Sequence, residues 1–185
     1  MTFRDVPFWN RPSDRDAAAE VTLVAFAATP EDVAAVTPWL RSPPAGIGAS
    51  LLVRAAGVCG VAGVDDVTDL RPQDGAAGAL LTALARANTP RVLVVGPRHA
   101  AAPPAILEGL VRAALAERSD IVAPVCAGYD EPLFAVYGHR CLAPLHAALL
   151  SGERRVTAWW GHVRVARVPE NVWRVWDPDA DAFPG

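Results

Sequence analysis

The sequence predicts an α/β fold, a Rossmann-like three-layer domain with a mostly parallel sheet. Three observations carry this. Short apolar runs alternate with helical patterns along the chain, the order expected of βα units. Two of those runs, Val21–Ala27 and Arg91–Val95, are apolar almost without interruption, as strands buried on both faces are. Helix-start chemistry then follows the first: Thr29 as N-cap, Pro30 at the first helical position, and Glu31 and Asp32 in the first turn.

The elements follow in order. Residues 1–19 form a polar, Pro-containing lead in which Phe3, Phe8 and Trp9 are the groups able to dock it. Val21–Ala27 is the first strand, and the helix opened by Thr29 runs to about Leu40. Ser42 to Gly46 breaks the chain. Ser50–Ala56 is predicted as a second helix, and the Val-rich run Val58–Val64, with Gly57, Gly60 and Gly63, as a closely packed strand. Asp65–Asp74 is predicted as an acidic turn-rich loop. Gly75–Asn88 is a helix with Leu80, Leu81 and Leu84 on one face. Arg91–Val95 is a strand, and Pro103-Pro104 opens a helix over Ala105–Arg118. Asp120–Val125 and Pro132–Tyr137 are strands, and Cys141–Leu150 is a helix. His162–Arg167 alternates as a half-exposed strand, and Val172–Trp176 is predicted as the last strand, before a turn at Asp177-Pro178-Asp179. Residues 20–185 are expected to form one domain.

Composition narrows the function. Hydrophobic residues make up 52% and charged residues 20%, the balance of a globular chain. The net charge of −3 argues against nucleic acid as a partner. All 17 basic residues are arginine, which excludes a phosphate loop ending in Gly-Lys-Ser/Thr and a Schiff-base lysine. The three cysteines, Cys59, Cys126 and Cys141, are widely spaced and form no CxxC, so neither a disulfide scaffold nor a zinc site is expected. No signal-peptide core and no membrane-length apolar run is present, and a cytoplasmic protein without membrane contact is expected.

Ligands of open α/β sheets bind beyond the carboxyl ends of the strands. Beyond Arg91–Val95 a Mg²⁺-dependent nucleotide enzyme would place a carboxylate. This chain places Gly96-Pro97-Arg98-His99 there.

The run Gly75-Ala76-Ala77-Gly78, then RVLVV, Pro103-Pro104, DIVAPV, EPLFAVY and GERRVTAWW resembles, in order and spacing over about residues 65–160, the MobA-like nucleotidyltransferases, the molybdenum cofactor guanylyltransferases. The tail VWRVWDPDAD is a looser echo of that family's ending. The resemblance implies a Rossmann-like fold that binds GTP and Mg²⁺ and transfers GMP to molybdopterin. It also implies nucleotide- or pterin-binding candidates at Asp74, Gly75, Gly78, Arg98, His99, Glu131, Pro132, Arg154 and Arg155.

The chain departs from that pattern where the chemistry sits. The loop after the first strand is Ala25-Phe26-Ala27-Ala28-Thr29-Pro30-Glu31-Asp32, with no glycine to let the backbone approach a triphosphate and no base to hold it. Arg98 stands where the family has the metal-binding aspartate, and Glu131 where it usually has glutamine. No metal ligand is therefore assigned. Arg98 binds a phosphate directly or is a surface arginine on a site that no longer works, and the second is preferred. His99 is a general acid or base, or polar loop surface, and again the second is preferred. Asp65, Asp66, Asp69 and Asp74 cluster before the Gly75 helix and could recruit a metal by another route, but Asp65 and Asp66 read rather as a solvated turn and Asp74 as a helix N-cap. Gly57, Gly60 and Gly63, or Gly46-Ile47-Gly48, match no dinucleotide fingerprint, and His139, Cys141 and His146 no metal spacing. Of Trp159, Trp160, Trp173 and Trp176 some must be core, and the others suggest an aromatic docking surface for a partner or a second copy.

The expected function is a catalytically impaired MobA-like protein of molybdenum cofactor biosynthesis, acting as a binding or partner module. Its partner would be molybdopterin, a molybdoenzyme-maturation protein, or a second copy through the Trp-rich C-terminal third. The alternative is an active, divergent guanylyltransferase using GTP and Mg²⁺.

Overall fold

The computed structural model describes residues 20–176. The lead with Phe3, Phe8 and Trp9, and the turn at Asp177-Pro178-Asp179, lie outside the described residues. Strand β1 (Val21–Ala27) is wholly buried, as its unbroken apolar sequence requires. Helix α1 (Pro30–Arg41) follows with a complete capping box: the Thr29 hydroxyl accepts from the Asp32 backbone while the Asp32 carboxylate accepts from Thr29. Strands β2 (Ala49–Arg54) and β3 (Asp65–Thr68) come next, then α2 (Gly75–Arg86) and β4 (Arg91–Val95). The second half holds α3 (Pro104–Ala116), β5 (Ile121–Cys126), β6 (Tyr129–Asp130), β7 (Val136–Gly138), α4 (Leu142–Leu150), β8 (Val165–Val168) and α5 (Glu170–Trp173).

The sheet runs β3-β2-β1-β4-β7-β5-β6, with β8 paired to β5. Pairing is parallel between β1 and β2, β1 and β4, β2 and β3, and β5 and β8. The short β7 is wedged antiparallel between β4 and β5. Helices α2 and α4 pack on one face with Tyr137, Trp159 and Trp160. Helices α1, α3 and α5 cover the other, the last through Trp173. This is the expected three-layer α/β arrangement, mostly parallel at its core.

Four segment assignments are corrected. Ser50–Ala56 is not a helix: its core is β2, locked in register against β1 from Thr22↔Ala49 to Ala27↔Arg54. A strand buried on both faces shows no period-2 alternation and cannot be told from a helix segment by pattern. The strand predicted at Val58–Val64 is displaced onto the acidic residues that follow, where β3 forms an edge with Asp65 exposed and Asp66 paired to Arg54. Only the end of Pro132–Tyr137 is extended, because the Phe134 amide turns back onto the Glu131 carbonyl at 3.1 Å. Val172–Trp176 is not a strand; α5 occupies its start, and the Trp173 indole donates to the Val125 carbonyl at 2.9 Å.

Candidate functional site

The parallel register of β2, β1 and β4 brings three strand ends together, followed by the loops at Ala28–Thr29, Ala55–Val64 and Gly96–His99. In the first loop the exposed amides are already engaged. Asp32 Oδ2 accepts from the Ala28 amide at 2.9 Å and from the Thr29 amide at 3.1 Å. The carboxylate that caps α1 thus satisfies backbone donors that an oxyanion would otherwise need.

The turn after β4 is a 3-10 turn over Pro97–His99, stitched to the stretch before β7 by the Gly96 amide on the Leu133 carbonyl at 2.7 Å. This brings Arg98, His99, Glu131 and Phe134 together. The Arg98 guanidinium pairs with Glu131 Oε2, and His99 Nε2 lies 3.3 Å from the same oxygen. His99 is only 1% exposed and stacks on Phe134 with ring centroids 4.9 Å apart. The reading of His99 as polar surface is therefore corrected: the ring is part of the core beneath the turn. Arg98 is exposed, as expected, but its charge is answered by Glu131.

A second group forms where α2 begins. Asp74 precedes the helix as expected, yet its side chain makes no cap hydrogen bond. It is buried and ion-paired to Arg71 and to Arg154, the latter at 3.2 Å. Desolvation pulls its carboxyl upward, and the two arginines more than offset this, leaving it below the ordinary range. Gly75 sits at φ 58°, a left-handed conformation that favours glycine. Gly78 is a packing residue: a Cβ there would collide with the Arg71 carbonyl oxygen. Pro132 offers its carbonyl to the Tyr137 hydroxyl at 2.7 Å. Arg155 is exposed and folds back on Glu153, holding that carboxyl down to about 2. A groove of about 570 Å³ lies between α4 and the following stretch, lined by Ala147, Ser151, Arg155, Trp159 and His162 among others.

The candidates thus fall into two clusters, Arg98–His99–Glu131 and Asp74–Arg154 at the start of α2, with Arg155 outside both. Asp66 is paired with Arg54 at the end of β2 rather than freely solvated. Trp159, Trp160 and Trp173 are buried in the core, and the half-buried Trp176 lies over Gly109 of α3. The sequence reading missed Asp32 as the occupant of the first loop, Arg71 as partner of Asp74, and Phe134 as the bed of His99. The spacing Thr29-x-x-Asp32 is the signal that would have found the first.

These residues do not fit the groups the family implies. The first-loop amides are taken by Asp32, and the carboxylate nearest the β4 turn is taken by Arg98. Among the described residues no group of three His, Cys, Asp or Glu side chains is placed to hold a metal ion. No helix among them is long and apolar enough to cross a membrane.

The His99 cluster carries a pH prediction. Burial, and secondarily the Arg98 charge, lower the imidazole from 6.5 to about 4. The unfolded chain therefore binds a proton that the folded chain does not between those values, and stability falls as pH falls through that window. From pH 6.5 to pH 5 the loss is roughly 1.5 kcal/mol. Denaturant midpoints across this range should show it, and a His99→Gln variant should flatten the slope.

A family model for the MobA-like NTP transferase domain matches residues 15–165. A Chloroflexus aggregans protein with the name "Probable molybdenum cofactor guanylyltransferase" is 31% identical over 117 residues, covering 62% of this chain and 55% of that protein. The match thus spans little more than half the length of that relative. Among solved structures, molybdopterin-guanine dinucleotide biosynthesis protein A from Archaeoglobus fulgidus is similar with a TM-score of 0.63 at 18% identity, over 85% of this chain and 88% of that one. The 2-C-methyl-D-erythritol 4-phosphate cytidylyltransferase of Thermus thermophilus has a TM-score of 0.60 at 16% identity, over 83% and 90%. At these identities the solved structures establish the fold alone.

Proposed function

The chain belongs to the MobA-like NTP transferase domain family, and on that premise we propose that it serves molybdenum cofactor (molybdopterin guanine dinucleotide) biosynthesis as a catalytically impaired binding or partner module. One observation carries the impairment: both charged positions of the crevice are filled by the chain itself. Asp32 occupies the first-loop amides, and Arg98 occupies Glu131. Nucleotidyl transfer depends on positioning and on neutralising phosphate charge. A carboxylate seated where phosphate oxygens would bind opposes both. The retained second half, with Arg154 tied to the start of α2, is the part expected to contact a pterin or a cytoplasmic maturation partner.

The second reading is an active, divergent guanylyltransferase, favoured by family membership itself. Calorimetric titration separates the two. With GTP, with and without Mg²⁺, the impaired reading expects no Mg²⁺-dependent binding in the micromolar range. Micromolar, Mg²⁺-dependent binding would overturn it in favour of the active enzyme. Molybdopterin, titrated alone, tests whether the second half keeps a ligand.

A further inference from the structure

We propose that Arg98 is a built-in substitute for a divalent cation, its guanidinium occupying the position between Glu131 and the strand end where a metal would be held. The inference deepens the impaired reading and rests on it for what the crevice no longer takes.

The geometry is fixed by backbone rather than by chance approach of side chains. Across the seam the Gly96 amide donates to the Leu133 carbonyl at 2.7 Å and the Val94 amide to the Ala135 carbonyl at 2.9 Å, while within each segment His99 closes on Gly96 at 2.9 Å and Phe134 on Glu131 at 3.1 Å. The two segments are therefore stitched face to face, with Glu131 and residues 98–99 on opposite sides of one seam. Glu131 is 14% exposed, and its carboxylate meets the Arg98 guanidinium there. His99 Nε2 faces the same oxygen at 3.3 Å from the buried side of the turn. Arg98 supplies a permanent positive charge to the seam. It does so with a planar donor that cannot be deprotonated.

Two metal-ligating groups, Glu131 Oε2 and His99 Nε2, already face each other at 3.3 Å. They do not make a metal site while a cation stands against them. Exchanging that cation for a carboxylate would supply a third ligand and remove the repulsion, giving a mixed N/O set suited to a first-row divalent ion.

The test uses Mn²⁺ alone, without nucleotide, followed by the loss of its free EPR signal. The wild-type chain is expected to leave the signal of free Mn²⁺ unchanged. Arg98→Asp is expected to bind one Mn²⁺ at least tenfold more tightly than wild type, and the added change Glu131→Gln to abolish that gain. Arg98→Asn removes the guanidinium without adding a like charge beside Glu131. It is expected to show a smaller gain and guards against a folding defect in the first variant. Stoichiometric Mn²⁺ binding by wild type that Glu131→Gln removes would overturn the proposal. So would the absence of any gain in both folded variants. Neither result touches the nucleotide titration, so the two readings fail separately.

Discussion

Trp173→Ala is expected to lose about 4 kcal/mol of folding stability, the middle of the range for removing a buried large aromatic. The side chain is fully buried in the cluster that packs α3 and α5 against the sheet. Its indole N–H donates to the Val125 carbonyl at 2.9 Å, so truncation also strands a backbone acceptor at the end of β5. Arg174 lies over the same ring at 5.2 Å and loses that contact too. For a chain of this size each kcal/mol moves the midpoint by roughly 2–4 °C, so a fall of roughly 8–16 °C in thermal unfolding is the readout. A Trp173→Phe variant keeps most of the volume and should recover much of the loss. A truncation that left the midpoint within a few degrees would show that α5 is not needed to close the sheet.

Gly78→Ala is expected to be the next most damaging single change, at roughly 3 kcal/mol, the upper end for overpacking. On helix propensity alone the substitution would stabilise α2 by about 1 kcal/mol. The packing term wins because the added methyl meets the Arg71 carbonyl oxygen, which is backbone and cannot rotate away. Relief requires moving either α2 or the turn at Arg71–Asp74, and that turn carries the Asp74 ion pairs to Arg71 and Arg154. Urea denaturation of the variant should show a lower midpoint at unchanged slope. A stabilised variant would mean that the turn yields freely.

Gly78 also shows how far the sequence could be read. Its place at a helix start was legible, and so was the helix, from Leu80, Leu81 and Leu84 on one face. Its reason was not, because the group it avoids is a backbone oxygen set by the path of the preceding turn. β1, α1, β4 and α3 were legible from local pattern and capping residues, which are properties of short windows. β2 and β3 were not. β2 owes its extended form to pairing with β1, and β3 is an edge whose exposed Asp65 and Asp66 look like loop by composition. At the site, the substitution at Arg98 was visible as a charge reversal, and Glu131 as a second departure. That the two answer each other follows only from the stitching of residues 96–99 to 131–134, a long-range contact no spacing encodes. His99 was misjudged for the same reason: a loop residue by neighbours, a core residue by Phe134.

The three residues of β7 have a consequence for how the chain is made. Strand β4, entirely apolar from Val92 to Val95, borders β1 on one side and depends on β7 for its other neighbour. During synthesis β1 to β4 can assemble as the ribosome releases them, but the partner that covers β4 arrives only some 40 residues later, at Val136. Throughout that interval the nascent sheet presents a bare hydrophobic rim, the kind of edge that recruits other chains. Nascent chains stalled before residue 136 should therefore be the most aggregation-prone, and the most dependent on chaperones, of any length beyond β4.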